Sequence, residues 1–195
     1  MTKSIQLLLA AFILVGALFS SCNNDDESTD NLCIDDGNFG YAKVGNKLTF
    51  DLVELFSDAD QFEVEVTEEV NPGFFNFKIN TTSPSFPSEG FWVPCGNTIF
   101  ALNDINDNLE DNTHRFFDSP VGTTWTITQN GQTATHEILE KNVEVTTPAG
   151  TFQCDKISFF VQGTINVDTI FESSQFGTVK YDGILFDYEL REKNF

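Results

Sequence analysis

Beyond residue 40 the apolar residues of this chain recur with a period of two. That period fits strands and does not fit helices. Leu48, Phe50 and Leu52 alternate with Thr49, Asp51 and Val53, and Phe62, Val64 and Val66 alternate with Glu63, Glu65 and Thr67. Phe75, Phe77 and Ile79 continue in the same manner. No window long enough for a helix repeats every 3.6 residues. The chain is therefore expected to be all-β, built of antiparallel strands with one face buried. Its expected shape is an antiparallel β-roll or half-open barrel.

Turn chemistry divides the pattern into hairpins. Val143 and Val145 lead into Pro148-Ala149-Gly150, and Phe152 and Cys154 lead out, so this stretch reads as strand, tight turn, strand. Asn130-Gly131 is the strongest two-residue hairpin signal. Between Cys154 and Ile157 the inward phase slips by one residue, which implies a β-bulge near Asp155-Lys156. Further strands are expected over Phe91–Val93, Thr98–Leu102, Thr133–Leu139, Thr164–Phe171, Thr178–Tyr181 and Ile184–Leu190. The polar run Asn103–Asn112 reads as an exposed connection between two halves of the domain.

Those halves resemble each other. Val44-Gly45 matches Val121-Gly122, Val64-Glu-Val-Thr67 matches Val143-Glu-Val-Thr146, Gly73 matches Gly150, and Cys95-Gly96 matches Phe176-Gly177. The matches keep one order at nearly constant separation. A duplication spanning 41–102 and 116–190 is expected, with two half-sheets packed face to face.

The first 22 residues are not part of the fold. Lys3, an apolar run from Ile5 to Phe19 and the small pair Ser20-Ser21 precede Cys22, the pattern of a signal peptide over residues 1–21. The run is shorter than the roughly 20 residues that span a bilayer. A cysteine directly after small residues resembles the lipobox of bacterial lipoproteins, which implies that Cys22 carries acyl chains of the palmitate type and anchors the protein to a lipid bilayer. Residues 22–38 read as an acidic tether and 39–195 as a single domain. The Asp25-Asp26-Glu27 run resembles the surface-export signal of Bacteroidetes lipoproteins, which implies an outer-membrane, cell-surface location.

The segments Val121-Gly-x-x-Trp-Thr, Asn130-Gly, Val145-x-x-Pro-Ala-Gly-Thr-Phe-x-Cys-x-Lys-Ile157, Gly177-x-Val-Lys-Tyr181 and a closing Tyr188-Glu-Leu190 together resemble a family of Bacteroidetes lipoproteins with a β-rich domain of unknown function. The resemblance covers about 75 residues of the second half. It implies a roll-like or half-barrel envelope domain and assigns no activity.

Composition removes several functions. With 10 basic and 30 acidic residues, the formal charge is −20. Phosphate binding needs clustered Lys and Arg, so nucleic acid is not an expected partner. The two histidines, His114 and His136, stand near no nucleophile motif. His114 beside Arg115 reads as part of a surface ion pair, and His136 as a strand residue. Asp104, Asn106 and Asn108 have the spacing of a calcium loop, but Leu109 replaces the turn glycine and Arg115 stands at the position of the bidentate acid. No catalytic residue, metal or other cofactor is expected, and the chain reads as non-enzymatic.

Of the remaining cysteines, Cys154 aligns with inward-facing Phe77 and is expected to be a buried free thiol. Any disulfide is then expected to join Cys33 to Cys95.

The 21 phenylalanines, only Phe12 and Phe19 of them in the leader, imply an aromatic interior. Two functions follow. The first is an interaction module that meets an envelope protein through Phe86, Phe91 and Trp92. The second is a carrier that holds an apolar molecule or lipid in a Phe-lined half-barrel.

Overall fold

A computed structural model describes residues 39–54, 60–83, 86–109, 112–129, 132–164 and 167–195. All fall within the second of two units, Met1–Leu32 and Cys33–Phe195. Cys22, Cys33 and the leader lie outside the described residues, as do Asn130 and Gly131.

Twelve strands follow in order: β1 (Lys47–Glu54), β2 (Gln61–Asn71), β3 (Phe74–Asn80), β4 (Glu89–Cys95), β5 (Thr98–Leu102), β6 (Thr113–Phe116), β7 (Thr124–Gln129), β8 (Gln132–Thr147), β9 (Gly150–Val161), β10 (Val167–Ser173), β11 (Gly177–Asp182) and β12 (Phe186–Lys193). The described residues contain no α-helix. All strands join one antiparallel sheet in the order β6-β5-β4-β3-β2-β1-β12-β11-β10-β9-β8-β7. Each half is a six-stranded meander. The first strand pairs with the last, Phe50 opposite Leu190 and Leu52 opposite Tyr188. The sheet curls until its two edges, β6 and β7, nearly meet. There Phe116 and Trp125 touch edge to face, with ring centroids 5.6 Å apart. The all-β, half-open barrel expected from the period-two pattern is the observed architecture.

The halves are therefore joined edge to edge through β1 and β12, not stacked face to face. One continuous sheet hides its inner face by curvature, so it needs no second layer. The division also falls later than expected. His114 and Arg115 sit on β6, an edge strand of the first half, and the halves meet between Phe117 and Thr123. The sequence pattern missed β6 because four residues with one aromatic show no clear alternation.

Local geometry is matched between the halves. Gly45 donates to Val66 O at 2.8 Å and Val66 donates to Asn46 O at 3.0 Å; Gly122 donates to Ile138 O and Ile138 donates to Thr123 O at the same distances. Gly45 and Gly122 have φ of 88° and 86°, a region open to glycine at little cost. Val66 thus corresponds to Ile138, and the Val-Glu-Val-Thr match is displaced from the ladders. The displacement arises because β8 runs unbroken for 16 residues. It carries extra residues between Ile138 and Val143, opposite Asp155 and Lys156. The bulge lies where the phase slip predicts, with its surplus residues on β8.

Burial follows the alternation. Leu48, Phe50, Leu52, Phe62, Val64 and Val66 are all under 8% exposed, while Val53 is 70% exposed. Phe39, the first described residue, is already in the core, against Phe117 at 5.1 Å. A large cluster holds β1, β2 and β3 with Phe152, Cys154 and Leu190, and a smaller one holds Trp125, Ile138, Ile157, Ile170 and Tyr181. Phe186 and Tyr188 pack against both.

Candidate functional site: the lumen

The inner faces of the strands do not fill the barrel. A cavity of about 390 Å³ is walled by His114 and Arg115 of β6, Ile127 of β7, Ala134 and His136 of β8, and Tyr181 and Tyr188. It lies against the seam where β6 and β7 fail to pair. A second cavity of about 180 Å³ lies among Phe50, Phe62, Phe86 and Trp92. Phe77, Ala101, His114, Thr178 and Tyr188 wall both.

The rings of the inner cavity are ordered. Phe62 stacks on Phe50 and Phe86, at 4.7 and 4.6 Å, and Tyr188 meets Phe50 and Phe62 edge on. Trp92 lies 4.6 Å from Phe77 and 5.0 Å from Tyr41. Such offset and edge contacts fix rings more firmly than area burial alone.

Polar chemistry sits between the two cavities. Arg115 Nη2 donates to Glu172 Oε1 at 2.6 Å, and the two side chains are 2% and 1% exposed. Arg115 Nη1 donates to the His114 carbonyl oxygen at 2.8 Å, and the Thr178 hydroxyl donates to Glu172 Oε1. The Tyr188 hydroxyl is tied to Thr178, yet burial, with Glu172 nearby, holds its pKa above the usual phenol range. On the far wall His136 stacks on Trp125 at 5.0 Å with the rings 9° from parallel. Burial first, then Arg115, lowers the His136 pKa to about 3. His114 is held well below its usual range by burial, then by Arg115 and His136. Both imidazoles are therefore neutral at ordinary pH. Arg115 Nε, Glu172 Oε2, His136 Nδ1 and Trp125 Nε1 are buried without a hydrogen-bond partner, where such atoms are normally satisfied.

Several expectations change here. His114 and Arg115 are not a surface ion pair: Arg115 reaches across the lumen to an acid 57 residues away. Phe86 and Trp92 are half-buried lumen residues and not exposed anchors: Trp92 pairs with Phe75 and so shares the face of Phe77, and Phe86, in the loop before β4, folds its ring onto Phe62. Phe91 is half-buried on the opposite face of β4, paired with Asn76 and Leu102. Cys154 is free and 1% exposed, as expected. Cys95 is disulfide-bonded; its proposed partner, Cys33, and the lipidation candidate Cys22 lie outside the described residues.

The calcium-like loop spends its carboxylates on itself. Asp104 Oδ1 accepts from Asn106 N and Nδ2, and Asp107 Oδ2 accepts from the amides of Asn103 and Asp104. Among the described residues no group of His, Cys, Asp and Glu could hold a metal ion.

One signal for the lumen pair was present in the sequence. Glu172 has the inward parity of Ile170, and an acid at such a position marks a buried charge that requires a partner. No family profile, curated protein or solved structure matches the chain.

Proposed function

We propose that this protein is a carrier: a non-enzymatic module that holds one small molecule in the lumen of its half-barrel, anchored to the outer membrane by acyl chains on Cys22. The observation that carries the reading is the pair of adjoining cavities, about 390 and 180 Å³, with aromatic side chains lining the inner one. Ligand sites typically measure about 300 to 1,000 Å³ and combine apolar walls with a few placed polar groups. Two of the three aromatics expected to anchor an external partner, Phe86 and Trp92, line this space instead.

The test uses the full chain with Cys22→Ala and the neutral fluorophore N-phenylnaphthylamine. Saturable binding at one molecule per chain is expected. Ala101→Trp places an indole in the wall common to both cavities and should weaken binding at least tenfold while unfolding stays cooperative. Non-saturating fluorescence, or binding indifferent to Ala101→Trp, overturns the carrier. The anchor is tested separately: Cys22→Ala should lose membrane fractionation, and a mature-sized variant that still sediments with membranes refutes it.

An interaction with an envelope protein keeps one supporting observation. Phe160 and its ladder partner Val167 are 36% and 61% exposed, and Ile184 and Leu185 are each 54% exposed. The Ile184 amide donates to Asp168 next to Val167, and clustered exposed apolar side chains are the kind of surface that contacts partners.

A further inference from the structure

We infer, resting on the carrier reading, that the guest is an uncharged amphiphile, with an apolar body among Phe50, Phe62, Phe86 and Trp92 and a neutral hydrogen-bonding head beside Arg115 and Glu172.

The charges of the lumen are already spent. Arg115 is the only Lys or Arg among the described residues that wall the cavities. Its guanidinium is joined to Glu172 at 2.6 Å. A carboxylate or phosphate guest would have to displace Glu172 or lie in the lumen without a counter-ion, and a buried ion without one is strongly disfavoured. The histidines supply no replacement, since His114 and His136 are both neutral. Asp168 borders a smaller side pocket of about 120 Å³ and accepts from the Tyr181 hydroxyl at 2.6 Å, so it adds negative charge at the margin. The chain's formal charge of −20 opposes anions further.

A cationic guest fares little better. Glu172 is held by both Arg115 and Thr178, and Arg115 lies in the wall of the larger cavity. Free hydrogen-bonding capacity is nonetheless present. Arg115 Nε can only donate, Glu172 Oε2 can only accept, and neutral His136 Nδ1 can do either according to tautomer. A hydroxyl or an amide donates and accepts without charge, and so matches this set. The aromatic inner cavity takes the apolar remainder.

The test compares three competitors of equal chain length: decanol, decanoate and decyltrimethylammonium. Each displaces N-phenylnaphthylamine from the Cys22→Ala full chain at about pH 8, where both imidazoles are neutral. Decanol is expected to displace the dye at a concentration at least tenfold below either ion. Equal or stronger displacement by decanoate or decyltrimethylammonium overturns the inference while leaving the carrier standing. Failure of the dye itself to bind removes the carrier reading and this inference together. Glu172→Gln then removes the counter-ion of Arg115 and should improve decanoate at least tenfold relative to decanol. A folded Glu172→Gln protein with unchanged ranking refutes the head-group position. The ranking in the unaltered lumen decides the ligand class whether or not that variant folds.

Discussion

Arg115 and Glu172 form a 2.6 Å ion pair on strands that are not neighbours in the sheet. β6 is one edge, and β10 lies on the other half of the sheet, so the contact closes the barrel across its lumen where no hydrogen-bond ladder does. Bringing two charges into so buried a place is costly, and their attraction offsets that cost only while both are present.

Removing one partner should therefore be worse than removing both. Arg115→Met or Glu172→Leu alone is expected to cost about 3 to 5 kcal/mol, and the double variant to recover most of that loss. Urea denaturation of the singles and the double measures it. Additive losses would show that the pair does not act as a unit.

Stability should fall in mild acid. In the folded protein the His136 pKa is about 3, against about 6.5 when unfolded, and His114 is shifted in the same direction. Between these values the unfolded chain binds more protons than the folded one, so stability is lost as pH falls below about 6.5. His136 alone contributes a slope of at most about 1.4 kcal/mol per pH unit. His136→Phe should flatten the decline between about pH 6.5 and 4. An unchanged slope in that variant would place the acid sensitivity elsewhere.

Cys154 should be chemically silent in the folded state. Burial first, then Glu172 and Asp155, raises its pKa to about 12, so thiolate is scarce at neutral pH. A thiol reagent should label it only after denaturation. Rapid labelling of the native protein would mean that β9 opens.

The seam between β6 and β7 should be the softest part of the sheet. Phe116 and Trp125 hold it with ring contact, since no ladder joins the two strands. Amide exchange is expected to be faster in β6 and β7 than in β1 and β12. Trp125→Ala should cost about 3 to 5 kcal/mol and speed exchange at the seam. Equal protection of edge and centre would contradict this picture.

Much of the fold was legible in the sequence because period-two alternation reports which face of a strand is wet. Leu48 to Leu52, Phe62 to Val66 and the bulge beside Asp155 were all readable in that way. What alternation does not report is which strand lies across the lumen. Arg115 was read as a surface residue because its sequence neighbours are acidic, and its partner could not be chosen among 30 acids. Phe86 and Trp92 were read as exposed because prolines flank them, whereas the pairing of Trp92 with Phe75 and the fold of the Phe86 loop onto Phe62 turn both inward. The site is built from long-range juxtapositions, and the sequence supplies only local ones.

The pairing of β1 with β12 also orders the chain's history. During synthesis β1 to β6 can form their meander early, but β1 keeps an open edge until β12, Leu190 within it, has been made. Assembly of the whole sheet therefore waits for β12, a delay imposed by topology and not by slow local steps. The same arrangement leaves the middle of the chain, Phe117 to Thr123, as the link between two unpaired edges. New termini cut between Ser119 and Pro120, with β12 linked directly to β1 in the described domain, would leave every ladder intact. Such a permutant would also carry β1 and β12 as adjoining central strands, so its halves could zip together while the chain was still emerging.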